Sequence, residues 1–370
     1  MIIGAPAEIK KDERKIALTP DLVNTLVSMG HRVIIQKNFA NIAGYRDSEY
    51  KKYGAEIVNK AEDVYSQADI IVKINPPLSD EYDLLKENQV IFAFFKYTDK
   101  NALMETILEK KITTINYANI TDSKGAHPFI EIGSEIVGRA LVRACETVAQ
   151  KYMGGALISG ATGVSPMKVT IVGAGVVGYS ATKSAIALGA DVSVLDINYD
   201  ALKKVSNDLG AKTFFANDEN ISKLLPDTDF LICSVKKNPF SEPVISADDV
   251  AKMKKGSLII DAGIASGNTV VETLDTVTTL SNPICEKDGL LYFSAPDVAS
   301  LAAKTIASAM SGILSKYIIP LVSNKNIIYA LMDCRELVSG VLTYNGKITN
   351  EEVAEIFDEE VYELSMMTGI

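Results

Sequence analysis

Short apolar runs alternate with amphipathic segments along most of the chain, the pattern of α/β units whose strands are covered on both faces. Before residue 120, apolar runs at 2–4, 31–36, 70–74, 90–95 and 112–117 predict strands, with helical segments between them. The first helix is punctuated at both ends, with Thr19 at the N-cap, Pro20 at the first helical position and Gly30 past the last turn. A short helix is expected over 48–53, and a long one over 134–153, with Ser134 placed as N-cap and Gly154-Gly155 as the stop. Strands at 169–172, 191–195, 229–235, 257–261 and 291–294 belong to a second unit. Helices are then predicted over about 301–317 and over 351–367, the latter capped by Asn350 with an acidic first turn.

The run from Val169 to Ser180 reads VTIVGAGVVGYS, a buried strand followed by Gly-x-Gly-x-x-Gly and a helix. In this pattern Gly173 allows a tight turn, Gly175 admits a pyrophosphate against bare backbone, and Gly178 lets the helix pack on the sheet. Val176 and Val177 lie between the second and third glycines, and the helix expected over 179–188 has an N-terminus that favours an anion. The next strand ends at Asp196, followed by Ile197. A carboxylate there accepts from both ribose hydroxyls and repels a 2′-phosphate, so the expected cofactor is NAD rather than NADP. The strands around this motif need residues from about 127 to about 305. The expectation is therefore α/β with two Rossmann-like domains, residues 127–305 binding NAD and inserted in a substrate domain of residues 1–126 plus 306–370.

A net charge of −10 and a pI near 5.0 argue against a nucleic-acid or anionic-membrane surface and favour small metabolites as partners. The absence of a basic leader with an apolar core, and of an unbroken run of 18 apolar residues, leads to the expectation of a cytoplasmic protein without a membrane partner. Cys145, Cys233, Cys285 and Cys334 lie far apart, as reduced thiols do, and neither His31 nor His127 has metal-ligand spacing.

Further matches lie on both sides of the fingerprint: Ile2-Ile3-Gly4-Ala5-Pro6 with Glu8, Glu13 with Ala17-Leu18-Thr19-Pro20, Ser134-Glu135-Ile136-Val137-Gly138-Arg139, and the tail Thr343-Tyr344-Asn345-Gly346-Lys347-Ile348. With these the whole chain resembles the alanine dehydrogenase and transhydrogenase α-subunit family, the tail favouring the dehydrogenases. The resemblance implies an NAD-dependent oxidoreductase that moves hydride between the cofactor and a 2-amino or 2-imino acid, with an amino or 2-oxo acid as substrate. It also implies a homo-oligomer, hexamer or dimer, and a cofactor contact from Ser134.

Four substrate-side positions depart from the family pattern. Lys15, beside Arg14, stands where the dehydrogenases have arginine; Asn75 replaces the second lysine of Lys-x-Lys-Glu-Pro; Lys96 replaces the histidine; Ala265 replaces an aspartate. The sequence leaves two readings for each candidate. Lys96 is either the acid/base, its proton loosened by an apolar setting, or a solvated loop cation. Tyr97 is an alternative proton donor. Lys73 either pairs a substrate carboxylate or makes a structural ion pair. Arg14 is a carboxylate clamp or part of a solvated charge run. His127 is a relay or a hinge residue, and His31 a surface strand residue. Three functions fit: an amino-acid dehydrogenase of altered substrate range, including an opine-type N-(carboxyalkyl)amino acid dehydrogenase; a transhydrogenase-like subunit; or a non-catalytic NAD-binding module.

Overall fold

The computed structural model describes residues 1–97, 102–236, 241–263, 269–324 and 326–365, and Ala265 lies outside them. In chain order the elements are β1 (Ile2–Ala5), α1 (Pro20–Ser28), β2 (Arg32–Gln36), α2 (Asp47–Lys52), β3 (Glu56–Val58), α3 (Ala61–Gln67), β4 (Ile70–Val72), β5 (Val90–Ala93), α4 (Ala102–Glu109), β6 (Thr113–Asn116) and α5 (Pro128–Tyr152). There follow β7 (Lys168–Val172), α6 (Val176–Ala187), β8 (Asp191–Asp196), α7 (Tyr199–Leu209), β9 (Lys212–Phe215), α8 (Asp218–Leu224), β10 (Phe230–Cys233), α9 (Ala247–Ala251), β11 (Leu258–Asp261), β12 (Ile284–Lys287) and β13 (Leu290–Phe293). The chain closes with α10 (Ala303–Ser323), α11 (Ile327–Asp333), β14 (Val341–Tyr344), β15 (Lys347–Ile348) and α12 (Glu351–Phe357). It divides into two compact units, Met1–Gly133 with Ala303–Ile370, and Ser134–Ala302.

Each unit is built on one doubly wound sheet. In the first the order is β15-β14-β6-β5-β4-β1-β2-β3, and in the second β12-β13-β11-β10-β7-β8-β9. Counting parallel strands alone, both units run 3-2-1-4-5-6, so the order reverses between β1 and β4 in one and between β7 and β10 in the other. A crevice opens at the carboxyl ends of the strands on either side of such a reversal. In the second unit alternate strand residues feed two separate cores. Val169, Ile171, Val194, Ile232 and Ile260 pack on one face, and Val172, Leu195, Leu231 and Ile259 on the other.

Several expected boundaries move. The long helix starts at Pro128, six residues before Ser134, because proline at the first position needs no amide partner; Ser134 is interior to the helix. The last helix ends at Phe357, where Asp358 turns left-handed at φ 56°, rather than continuing to 367. Thr19 holds the N-cap position of α1, but its side chain caps nothing. Its hydroxyl lies 2.9 Å from that of Ser311 on α10, pinning two helices of the same unit together. The antiparallel β14 and β15 were unforeseen. They extend the first sheet past β6, and the Thr343 hydroxyl lies 2.8 Å from that of Thr114.

One helical stretch, Val298–Ser323, is long and apolar enough to cross a membrane by length and composition alone, although no unbroken apolar run marks it. Within the first unit its residues Ile306, Met310, Leu314, Ile318 and Leu321 are buried, the pattern of a core helix.

Candidate active site

In the second unit the fingerprint glycines sit at the reversal point. Gly173 has φ 103°, and a Cβ on it would come within 2.9 Å of the Ser234 backbone after β10. A Cβ on Gly178 would fall on the Gly173 carbonyl oxygen, so the first turn of α6 can lie this close to β7 only with glycine there. Nothing lies within 4 Å of a Cβ on Gly175, the N-cap of α6, so space remains in front of the helix amides. That combination fits a pyrophosphate: bare backbone, an open approach and a twelve-residue helix N-terminus. Gly138 on α5 is equally constrained, since its Cβ would meet the Val177 carbonyl oxygen.

Asp196 ends β8 and turns its carboxylate back across the crevice. It accepts from the Ala174 amide at 2.5 Å and from the Asn198 amide at 2.8 Å. Two carboxylate oxygens offer about four acceptor sites, so capacity remains for a ribose diol. Beside it Ile197 is 83% exposed, an apolar side chain without cover in its own unit, and Val176 is 47% exposed.

The first unit carries a cluster of charges at its own reversal point. Glu8 follows β1, and Lys73 and Asn75 follow the adjacent β4. Lys73 is 1% exposed and bonds Glu81 at 2.7 Å, with Glu8 at 3.7 Å. Glu81 also accepts from the Tyr65 hydroxyl at 2.8 Å and from the Leu78 amide at 3.0 Å. Glu8 accepts from the Ile74 amide at 2.6 Å and from the Asn75 side chain at 3.2 Å. The same Asn75 side chain donates to Glu13 at 3.0 Å, and Lys15 pairs with Glu13 at 2.9 Å. Burial lifts the Glu8 carboxyl above the ordinary glutamate range, against the pull of Lys73 and the Ile74 and Asn75 hydrogen bonds; the charge of Glu13 adds to the lift. Nearby Tyr117 is wholly buried, stacked on Phe92 at 5.5 Å, and its hydroxyl has no partner among the described residues. Burial, and secondarily the charge of Glu8, keep that phenol neutral.

The expected site residues thus separate into groups. Lys73 and Lys15 are brought into one network, with the half-buried Arg14 next to Lys15 in sequence. Lys96 is exposed within its unit. Tyr97 packs its ring against Phe95 and Phe357, with its hydroxyl buried and unpartnered among the described residues. His127 is exposed just ahead of α5, and the His31 ring lies 3.5 Å from the chain's amino terminus. Glu8, Glu13 and Glu81 were not singled out for chemistry; the adjacency of β1 and β4 brings Glu8 to the Lys73 ammonium that Glu81 also bonds, while Glu13 joins through Asn75 and Lys15. At the opposite end of the same sheet, a cavity of about 530 Å³ is lined by Ile70, Val90 and Thr113 at the strand beginnings. No group of His, Cys, Asp and Glu suited to a metal occurs among the described residues.

Two family models cover nearly the whole chain: the alanine dehydrogenase/PNT N-terminal domain over residues 4–137 and the alanine dehydrogenase/PNT C-terminal domain over 140–351. The chain belongs to the alanine dehydrogenase/PNT family. It is 34% identical over 363 residues to an alanine dehydrogenase of Methanococcus maripaludis, covering 97% of each chain. It is also 34% identical over 359 residues to that of Bacillus subtilis, covering 96% of this chain and 94% of the relative. An L-alanine dehydrogenase structure superposes with a TM-score of 0.89 at 29% identity, over 97% of this chain and 99% of that one. A transhydrogenase from Sinorhizobium meliloti shares the fold with a TM-score of 0.80 at 22% identity, over 95% of this chain and 99% of that one. Membership accounts for the two α/β units, and this family is consistent with NAD-dependent oxidoreductase chemistry.

Proposed function

We propose that the protein is an NAD-dependent amino-acid dehydrogenase that interconverts a 2-amino acid with its 2-imino and 2-oxo forms, with a substrate range differing from that of the alanine dehydrogenases it resembles. The observation that carries this reading is the intact cradle of Gly173, Gly175 and Gly178 with Asp196 at the end of β8. Bound NAD would supply a hydride acceptor at the nicotinamide ring. In this reading the α6 amides from Val176 and Val177 face the pyrophosphate, Asp196 holds the ribose, Ile197 gives the adenine an apolar face, and Ser134 lies on the cofactor side of α5.

On the first unit, Arg14 and Lys15, the latter paired with Glu13, are the cations assigned to a substrate carboxylate, and Lys73 is held by Glu81 and Glu8. The change in substrate range follows from chemistry at position 75. Asn75 gives both of its amide hydrogens to carboxylates and brings no positive charge, unlike a lysine. A panel of 2-oxo acids, each with NADH and either ammonium or an amino acid as amine donor, tests the proposal. Turnover with ammonium supports it, turnover only with an amino acid as amine points to the opine-type reaction, and NADH binding without any turnover contradicts it.

A further inference from the structure

The charges at the reversal point of the first unit do not balance in pairs. Lys73 makes its short bond to Glu81, which the Tyr65 hydroxyl and Leu78 amide also hold, so these two form a closed ion pair. Glu8 is left at 3.7 Å from that ammonium, and its hydrogen bonds come from neutral donors, the Ile74 amide and the Asn75 side chain. The second hydrogen of that side chain goes to Glu13, itself paired with Lys15. Asn75 therefore bridges two carboxylates and neutralises neither. The other titratable groups around Glu8 are the phenols of Tyr65 and Tyr117, both deeply buried and held neutral. Glu8 itself keeps 6% of its side chain exposed, beside the strand ends where a doubly wound sheet takes its ligand.

We propose that Glu8 is the proton-exchanging residue of the substrate site, and that Lys73, Glu81 and Asn75 are positioning residues that hold it. This rests on the dehydrogenase reading above. In the step assigned to it, an N–H bond of the substrate ammonium breaks, its electron pair stays on nitrogen, and the proton bonds to a Glu8 carboxylate oxygen. The reverse step returns it. Such a transfer needs a carboxyl that holds its proton nearer to neutral pH than an exposed glutamate does, and burial against one shared ammonium supplies that. The arrangement also explains how the chain can do without a histidine at position 96. An asparagine at 75 leaves the nearby carboxyl able to bind a proton, whereas a lysine there would compete for it.

The test has two arms on the full-length protein. In the first, carboxyl resonances of the cofactor-free protein with ¹³C-labelled glutamate are followed against pH. One signal should titrate above the ordinary glutamate range, disappear in Glu8→Gln, and move down by about one pH unit or more in Asn75→Lys, where a cation is added. In the second, the acidic limb of the kcat/KM profile should vanish in Glu8→Gln, with kcat lowered about 100-fold or more and NADH affinity unchanged. A wild-type protein without the raised signal, or one in which Glu8→Gln keeps the signal or the limb, overturns the inference even where turnover is found. A raised Glu8 signal with no turnover of any amino or 2-oxo acid instead overturns the dehydrogenase reading, and the substrate step with it, leaving Glu8 as a proton-holding group. Should Glu8→Gln fail to fold, the shift in Asn75→Lys decides.

Discussion

The Cα of Gly178 faces the Gly173 carbonyl oxygen so closely that a methyl group on it would overlap that oxygen. The first turn of α6 is thereby seated on the end of β7, and the helix amides are aimed at the crevice. Gly178→Ala must push the helix away, at a cost of about 1–3 kcal/mol. The expected result is a lower unfolding midpoint together with at least a tenfold weaker NADH titration by fluorescence. An alanine variant that binds NADH normally would contradict this role.

In the proposed reading, Asp196 governs the choice of dinucleotide. Replacing it with serine removes the charge that repels a 2′-phosphate and weakens the hydrogen bonds offered to a ribose diol, each worth about 1.5–3 kcal/mol when the acceptor is charged. Asp196→Ser should therefore bind NADH about tenfold or more weakly while gaining relative affinity for NADPH, as read by parallel titrations. Part of the loss will come from the Ala174 and Asn198 amides, which lose a charged acceptor.

Lys73 holds its place by ion pairing in a dry setting. Lys73→Met leaves Glu8 and Glu81 buried without their cation and should cost about 3–5 kcal/mol in denaturant unfolding. The double variant Lys73→Met with Glu81→Leu should recover most of that loss, since a buried pair exchanged for apolar side chains is often neutral. A double variant no better than the single one would show that Glu8, rather than Glu81, is the principal partner.

How much of this was legible in the sequence differs between the two units. The strand–turn–helix around Gly173 was readable because its parts are local: a strand, three glycines at fixed offsets and an acidic residue one strand later. The charge cluster was not, because Glu8 and Lys73 follow β1 and β4 and meet only through the crossover that makes those strands neighbours. The short β14 and β15, four and two residues long, lack the length to show a period. Ser134 looked like a cap because serine so often is one, yet Pro128 had already started the helix.

Those returning strands make their own prediction. The Thr343 hydroxyl accepts from the Thr114 amide at 3.1 Å and donates to the Ile112 carbonyl at 2.9 Å, all of it buried. Thr343→Val keeps the shape and strands these groups, so it should lower stability by about 1–3 kcal/mol while leaving NADH affinity unchanged.

The Glu8 proton also links stability to pH. Its carboxyl binds a proton more tightly in the folded chain than in the unfolded one. The corresponding stability is fully present below the unfolded value of about 4.3 and is lost as pH rises through the higher folded value. Glu8→Gln should flatten that decline, so that the unfolding free energies of variant and wild type shift in the variant's favour from acid toward neutral pH. Parallel slopes would contradict it.

The most direct measurement of the central claim is the absorbance of NADH during incubation of the wild-type protein with ammonium and a set of 2-oxo acids, repeated with NADPH. The account predicts NADH consumption that depends on both the 2-oxo acid and the amine, with NADPH a much poorer reductant. Binding of NADH without consumption across the whole set, or equal use of NADPH, would contradict it.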